Sequence, residues 1–507
     1  SITFGKSSNN GWGAYNMLWA SHTLMILFGA LEVPGSHIGS RALLTGGDLQ
    51  PGEDGFLYYK VHPTDKANWK WPPETRCGHT TITPLSGDMP YLSVVMGASP
   101  LSWINMTDPL DKWPATDPPD LYFTYKSNPV MGNWEPERIM RGMEKMFVVK
   151  FAYELDETSE FSDILLPDSI DLESTQVMAR GGAIVTFFEY LLDHIGFVAR
   201  SPAIDPPFNT KEMTDICTEL ADRSGMLAEY NQIINMGGAF FGVALKEEYH
   251  LDPKKKYTAT EIYDRIAKSF TEGNCDLEWF KEHGGTFKPF PKTEGMLLSP
   301  MPGAWMRPFW LHKQMVEKGL RYQLPYQEKL MRTSRELKRR LNEKEIHWWD
   351  KQTEPYKEGI PDWEDVFAEI FDTGPEYDLW AIATRSAQSV GGSASLPITR
   401  ELTEKITGHR HVLINKKAAG KRGIKDDDEI WIESAYKKKI KARAKLIEGV
   451  HIETIVFVGQ LGRYTTPTMK DSAEEVNNIN FLIPIDIKLT DETGAQSDHV
   501  RVKVYKA

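Results

Sequence analysis

The alternation of apolar and polar positions divides the chain into stretches of different character. Ile2 to Gly5 reads as a strand, Lys6 to Gly13 as a polar Gly/Asn/Ser loop, and the apolar run from Met17 to Val33 as a buried helix ended by Pro34-Gly35. That run contains Ser21, His22 and Glu32 and falls short of the ~20 apolar residues of a bilayer crossing, so it predicts no membrane span. Ala183 to Ala199, which holds Glu189, Asp193 and His194, reads as an interior or half-buried segment for the same reason.

Between Ser40 and Asp120 the chain is rich in Trp, Pro and Gly and too long for an ordinary connection, which marks a functional loop region or an insertion. From Leu121 the pattern changes. Apolar strands at Leu121 to Tyr125, Phe147 to Phe151 and Asp163 to Leu166 alternate with a helix from Pro136 to Met146, and this order predicts parallel βαβ units. Thr210 to Arg223 is an amphipathic helix with Met213, Ile216, Cys217 and Leu220 on one face. Residues 225–374 are rich in Lys and Glu, include a helical run from Tyr326 to Lys344, and read as an insertion or peripheral layer. From Tyr377 onward short alternating strands (Leu379 to Thr384, Glu429 to Glu433, Lys439 to Leu446, His451 to Val458, Val500 to Tyr505) predict a barrel-like all-β domain.

Composition narrows the function classes. With 507 residues, 41% of them hydrophobic, the chain can bury a large core and form about three domains. Lys and Arg total 59 against 71 Asp and Glu, and the resulting charge of -12 has the wrong sign for wrapping nucleic acid. Lys437, Lys438, Lys439, Lys441, Arg443 and Lys445 form a local basic run, but Ile440, Ala442, Ala444 and Leu446 alternate with the later charges, as in a strand with one solvated face. Three widely spaced cysteines, Cys77, Cys217 and Cys275, make neither a disulfide framework nor a Cys-x-x-Cys metal site. His409 and His411 lack a nearby third ligand and read as surface residues. The chain opens on Ser1 with no signal-like segment, which either processing or a start within a longer product explains; the strand-like opening favours the second.

The chemistry is carried by phrases in a fixed order. Gly29-Ala30-Leu31-Glu32-Val33-Pro34-Gly35 closes the first helix, and Ser127-Asn128-Pro129 follows the first βαβ strand. Ser162-Asp163-Ile164-Leu165-Leu166-Pro167 comes after Glu157-Thr158, Thr384-Arg385 ends the strand that opens the β domain, and Gly423-Ile424-Lys425-Asp426-Asp427-Asp428-Glu429-Ile430 leads into a later strand. In this order the phrases resemble the large subunit of molybdopterin oxidoreductases of the dimethyl sulfoxide reductase family, over roughly half the chain.

The resemblance implies an α/β fold, a partial dinucleotide-binding α/β sheet, followed by a carboxy-terminal double-psi β-barrel. The domains it implies are 1–45, the end of an α/β domain; 46–120, a loop-rich insertion; 121–225, the second half of a pterin-dinucleotide-binding α/β domain; 226–375, an insertion or peripheral helical layer; and 376–507, the barrel. The implied function is part of the catalytic subunit of a molybdenum or tungsten bis(pterin guanine dinucleotide) oxidoreductase, holding the cofactor for oxygen-atom or hydrogen and electron transfer. A non-redox hydratase or transhydroxylase of the same family and a non-catalytic partner chain are the alternatives.

Residue by residue, the resemblance points to Asn128 at the first strand end, and to Glu154 (or Asp156) as acceptor for the guanine edge, because Lys150 stands where the family usually has an acid. Asp163 follows in its phrase. Thr384, Arg385, Ser386, Ser389, Gly391, Gly392 and Ser393 form a hydroxyl- and glycine-rich loop whose small residues let backbone N–H groups approach a pterin or pyrophosphate. Asn478 and Asn480, beside Asn477, match a pterin-bonding Asn phrase, and Gln496 stands where Lys or Asn is commoner. No residue is assigned as catalytic and none as a metal ligand. Asn9, Asn10, Tyr15 and Asn16 would face the metal in the family's arrangement, and the Trp-rich stretch from Asn68 to Trp113 would line a substrate funnel. A [4Fe-4S] cluster and the molybdenum or tungsten ligand are expected on an upstream segment. The expected partners are an amino-terminal half or complementary chain carrying that cluster, an iron-sulfur electron-transfer subunit and a small-molecule substrate. No transmembrane segment is expected, and the compartment is cytoplasmic unless an upstream segment carries an export signal.

Overall fold

A computed structural model describes residues 14–28, 120–125, 127–181, 194–237, 243–289, 373–384, 411–458, 478–486 and 497–507, with a few shorter stretches and single residues between them. The expected strand at Ile2 to Gly5, the loop at 6–13, most of 29–119 and the loop at 385–393 lie outside the described residues, as does Gln496. In chain order the elements are helix α1 (Ala14–Leu27), a short antiparallel pair β1 (Leu49–Pro51) and β2 (Leu57–Tyr59), and strand β3 (Leu121–Tyr125). There follow α2 (Pro129–Gly132), α3 (Pro136–Met143), β4 (Phe147–Ala152), a 3-10 turn (Glu157–Phe161) and β5 (Ile164–Pro167). Next come β6 (Gln176–Gly181), β7 (His194–Arg200), α4 (Met213–Arg223), α5 (Leu227–Asn235), α6 (Ala259–Thr271), α7 (Leu277–His283) and β8 (Gly285–Pro289). The last group is β9 (Leu379–Thr384), β10 (Val412–Asn415), α8 (Lys416–Gly420), β11 (Glu429–Ser434), β12 (Lys439–Ile447), β13 (Thr454–Val458) and β14 (Val500–Lys506). No helix among the described residues is long and apolar enough to cross a membrane.

The chain divides into two compact units: Ser1–Thr3 with Ala20–Arg76 and Pro167–Lys329, and Phe4–Trp19 with Cys77–Leu166 and Leu330–Ala507. In the first, the antiparallel sheet β6-β7-β8 and helices α4 to α7 enclose a core in which Phe197 stacks on Phe270 and meets Phe280 edge-on, with Val177, Ile262, Ile266 and Leu277 around them. The sheet itself escaped the apolar pattern. The basis of α6 is local: Thr258 and Glu261 form a reciprocal capping box, and Ile262, Tyr263, Ile266 and Phe270 recur at helical spacing on the buried face.

The second unit carries the predicted β architecture. Strands β3, β4 and β5 form one sheet, with β3 and β4 parallel and Thr124 opposite Lys150. Helices α2 and α3 pack Val130, Met131, Ile139 and Met143 with Val148 of β4, and Trp103, Leu341, Ile346 and Ile485 complete that core. The carboxy-terminal strands close into a barrel of order β10-β12-β11-β14-β9-β13. Two pairs, β10 with β12 and β13 with β9, are parallel; the others are antiparallel. Its interior follows period two along each strand, with Leu379 and Ala381, Ile430 and Ile432, Ile455 and Phe457, and Val500, Val502 and Val504 all buried. Strand β10 is an addition that the sequence pattern did not reveal. Opposite charges line the outside of β12, where Lys441 pairs with Glu429 at 2.7 Å and Lys445 with Asp426 at 2.5 Å, as a solvated strand face requires.

Candidate functional site

The carboxyl end of the parallel pair is the place where an open α/β sheet presents its loops to ligands, and Ser127-Asn128-Pro129 lies there. Asn128 occupies the N-cap position of α2 but makes no side-chain cap bond. Its amide instead reaches across to the 3-10 turn: Nδ2 donates to Glu157 Oε2 at 2.7 Å, and Oδ1 accepts from the Thr158 hydroxyl at 2.8 Å and from the Thr158 N–H at 3.3 Å. The Thr158 hydroxyl in turn accepts from the Val130 N–H at 3.2 Å, so a residue remote in sequence satisfies the helix start. Glu157 is fully buried and also accepts from the Thr465 N–H at 3.0 Å.

Beneath this turn Lys150 is 1% exposed. Its ammonium donates to the Ser127 carbonyl at 2.6 Å and pairs with Asp156 at 2.9 Å. Asp156 also caps the 3-10 turn by accepting from the Ser159 N–H at 3.0 Å, and Ser159 Oγ accepts from the Asp156 N–H at 3.0 Å. Lys150 therefore lies buried within β4, on the same face as Val148, and Asp156 is bound to it. Of the two acids considered for a guanine edge, Glu154 is half-buried just beyond β4 and Asp156 is engaged inside the chain. Asp163 is exposed; its carboxylate accepts from the Val148 N–H at 2.7 Å while its own N–H donates to the Val148 carbonyl at 2.9 Å, which locks the entry to β5.

Asn478 and Asn480 are buried at a short 3-10 turn (Ile479–Phe481). Both amides donate to the Met131 carbonyl, at 3.4 and 2.8 Å, and Asn478 Oδ1 accepts from the Asn480 N–H at 3.0 Å. Next to them Glu135 adopts a left-handed backbone conformation with φ of 48°, and its N–H donates to the Asn480 carbonyl at 2.9 Å. Its carboxylate accepts from Arg138 at 2.9 Å and the Ile485 N–H at 2.8 Å, with Lys438 at 3.3 Å. Burial is the largest single influence on this carboxyl and opposes ionisation, yet the Ile485 N–H, Arg138 and Lys438 together hold its pKa below the ordinary glutamate value. Nothing in the sequence pattern singles out Glu135, because two of its partners, Lys438 and Ile485, lie 303 and 350 residues away in the chain.

At the barrel end, Thr384 is the exposed last residue of β9, paired in register with Val458. The antiparallel β14–β9 ladder has its last pair at Val500 and Ala381. Ser497 and Thr384 each lie three residues beyond that pair, toward the same end. Ser497 is buried, and its hydroxyl has no hydrogen-bond partner. An orphaned buried hydroxyl and an exposed one at one end of a ladder suit an acceptor-rich group such as a phosphate or pterin. The residues present therefore fit the implied cofactor at this end. At the β3 end Lys150, Asn128 and Thr158 are engaged within the chain, the buried Thr124 hydroxyl has no hydrogen-bond partner, and Ser127 is exposed. Among the described residues no group of His, Cys, Asp and Glu is arranged to hold a metal ion.

These elements define a mixed α/β chain with a parallel strand pair and a closed six-stranded barrel. No protein-family model and no curated protein sequence matches it. Among solved structures, it is similar to acetylene hydratase from Pelobacter acetylenicus, with a TM-score of 0.49 and 16% sequence identity, over 82% of this chain and 48% of that one. The chain thus spans about half the length of that protein.

Proposed function

We propose that the chain is the cofactor-holding, carboxy-terminal part of the catalytic subunit of a molybdenum or tungsten bis(pterin guanine dinucleotide) enzyme, with oxidoreductase chemistry. The observation that carries this reading is where the family-like phrases fall. Ser127-Asn128 follows the carboxyl end of a parallel strand, and Thr384, which begins the hydroxyl- and glycine-rich loop, ends a strand of a closed barrel toward the same end of the β14–β9 ladder as the unpartnered Ser497 hydroxyl. Both are places where backbone N–H groups and hydroxyls meet an acceptor-rich ligand. The closed barrel is read as the double-psi type.

When bound, the metal-pterin group would supply the two-electron chemistry; this chain's residues would bind and orient it. Thr384 and Ser497 donate hydroxyl protons to its acceptors, Ser127 presents its hydroxyl at the sheet end, and Glu154 accepts from the base edge of a guanine. The loop from Arg385 through Ser386, Ser389, Gly391, Gly392 and Ser393, together with Gln496, belongs to the same proposed contact. Asn128, Asn478 and Asn480 act in this reading by fixing the turns that approach the cofactor. The cluster, the metal ligand and the electron-transfer partner are proposed on segments upstream of, or chains beside, this one.

The test is metal and pterin analysis of the protein purified with whatever segments accompany it. Molybdenum or tungsten together with released pterin is expected, and absence of both metals and of pterin overturns the enzyme reading in favour of a non-catalytic partner chain. Substrate-dependent oxidation of reduced artificial dyes then separates redox chemistry from hydration or transhydroxylation.

A further inference from the structure

The proposed site uses the sheet-end turn but leaves one buried cation beneath it unexplained. A lysine that is 1% exposed is rare in a protein interior, because its ammonium loses hydration unless its partners replace it. Hydrophobic packing would fill that position of β4 more simply, as Val148 does on the same face two residues earlier. The two partners of Lys150 explain what the cation achieves. One is the carbonyl of Ser127, in the turn after β3; the other is Asp156, which starts the 3-10 turn after β4. A single side chain thus ties together the loops following two adjacent parallel strands. The Asn128 to Thr158 and Glu157 bonds span the same gap, one layer further along the chain.

We propose that Lys150 is a positioning residue for the cofactor-facing turn: its ammonium fixes the Ser127 carbonyl and thereby presents Ser127 outward and holds the Asn128 amide on Thr158 and Glu157. The inference rests on the proposed function for the identity of the ligand, and on the geometry alone for the bracing. The Ser127 carbonyl is held from inside, so the turn has one orientation before any ligand arrives, and binding need not order it. Lysine suits the task because its compact ammonium offers three donors on a flexible stem, so it satisfies two acceptors from different loops. A planar guanidinium has fixed donor directions.

The experiment is amide hydrogen exchange on the full chain with its accompanying segments, together with the guanosine monophosphate released per chain on acid hydrolysis. In the Lys150→Met/Asp156→Asn double variant, which leaves no unpaired buried charge, the Val130, Gly132 and Thr158 amides are expected to exchange at least tenfold faster than in the parent. Amides of the barrel strands β11 and β14 should not change, and released guanosine monophosphate should fall at least fivefold at an unchanged melting temperature. Unchanged exchange at the turn in the double variant overturns the bracing. Faster exchange with undiminished nucleotide overturns the positioning role. If the double variant does not fold, the parent decides: its Val130, Gly132 and Thr158 amides must exchange as slowly as the barrel amides, and fast exchange there overturns the proposal. A parent that releases no guanosine monophosphate defeats the proposed function, while the exchange contrast still decides the bracing.

Discussion

The barrel and the three-stranded sheet of the same unit treat their surfaces in opposite ways. In the barrel every strand has a partner on both sides, inward positions such as Ile414, Ile432 and Phe457 are buried, and outward charges pair across strands. Closure removes the free edges and leaves one apolar face to be covered, the inside. The sheet β3-β4-β5 is open. One face holds Val148 and the braced Lys150; on the other Val149 and Phe151 are buried, but Leu121, Phe123 and Phe147 remain 47%, 48% and 48% exposed. A parallel sheet normally needs both faces covered. A closed barrel is a finished local solution, whereas the sheet relies on polar ties between distant segments to hold the turns at its carboxyl end.

Side-chain truncation should expose this contrast most strongly. Phe457→Ala, inside the barrel, is expected to lose about 3–5 kcal/mol of stability, whereas Phe123→Ala, at a half-exposed position stacked on Phe151, should lose clearly less, about 1 kcal/mol. Urea midpoints measure both, and comparable losses would break the comparison.

A smaller effect is expected where the sheet side meets the barrel. Glu135→Gln weakens charge-assisted bonds to Arg138, Lys438 and the Ile485 N–H, for a loss of about 1–3 kcal/mol near neutral pH. The folded carboxyl has a pKa below its ordinary value of 4.5. The stability it contributes is therefore fully present above that value and is lost as the pH falls through the folded pKa. Urea midpoints followed from pH 6 downward should show an acid limb that is shallower in Glu135→Gln; an identical limb would sink the assignment.

The first unit supplies controls. Thr258→Ala removes the capping box of α6 and should lower the urea midpoint by the equivalent of about 1 kcal/mol, without altering the acid limb assigned to Glu135. Glu212 should behave with the opposite sign. Burial raises its carboxyl pKa, and Asp215 and Asp168 add to the rise against the Thr175 N–H. Its ionisation therefore opposes folding as the pH rises above the ordinary value of 4.5. Glu212→Gln is expected to be more stable than the parent at neutral pH, and a loss of stability there would refute that reading.

The barrel strands were the most legible part of the molecule. Leu379–Thr384 was read to the residue, and β11, β12 and β14 to within one, because period-two burial is written directly into the residues. The expected strand beginning at His451 starts at Thr454, and β10, with only four residues, offered too little alternation to recognise. The antiparallel sheet β6-β7-β8 was missed because its strands are separated by long stretches and pair through register rather than through a local motif. At the candidate site the sequence placed Asn128 just after a strand and singled out Asn478 and Asn480 by a phrase, but did not show what their amides bond. It noted Lys150 only as a departure from an expected acid.

From its residues alone the chain declared alternating strands, a βαβ segment and the order of the phrases around them, since backbone periodicity and turn chemistry are local properties. Tertiary structure decided which side of β4 holds Lys150, that Asn128 bonds Thr158 and Glu157 rather than its own helix, and that Glu135 meets Lys438 and Ile485. Such pairings depend on which distant segments are brought together and which groups burial then compels to find partners. No pattern within one stretch of chain encodes that requirement by itself.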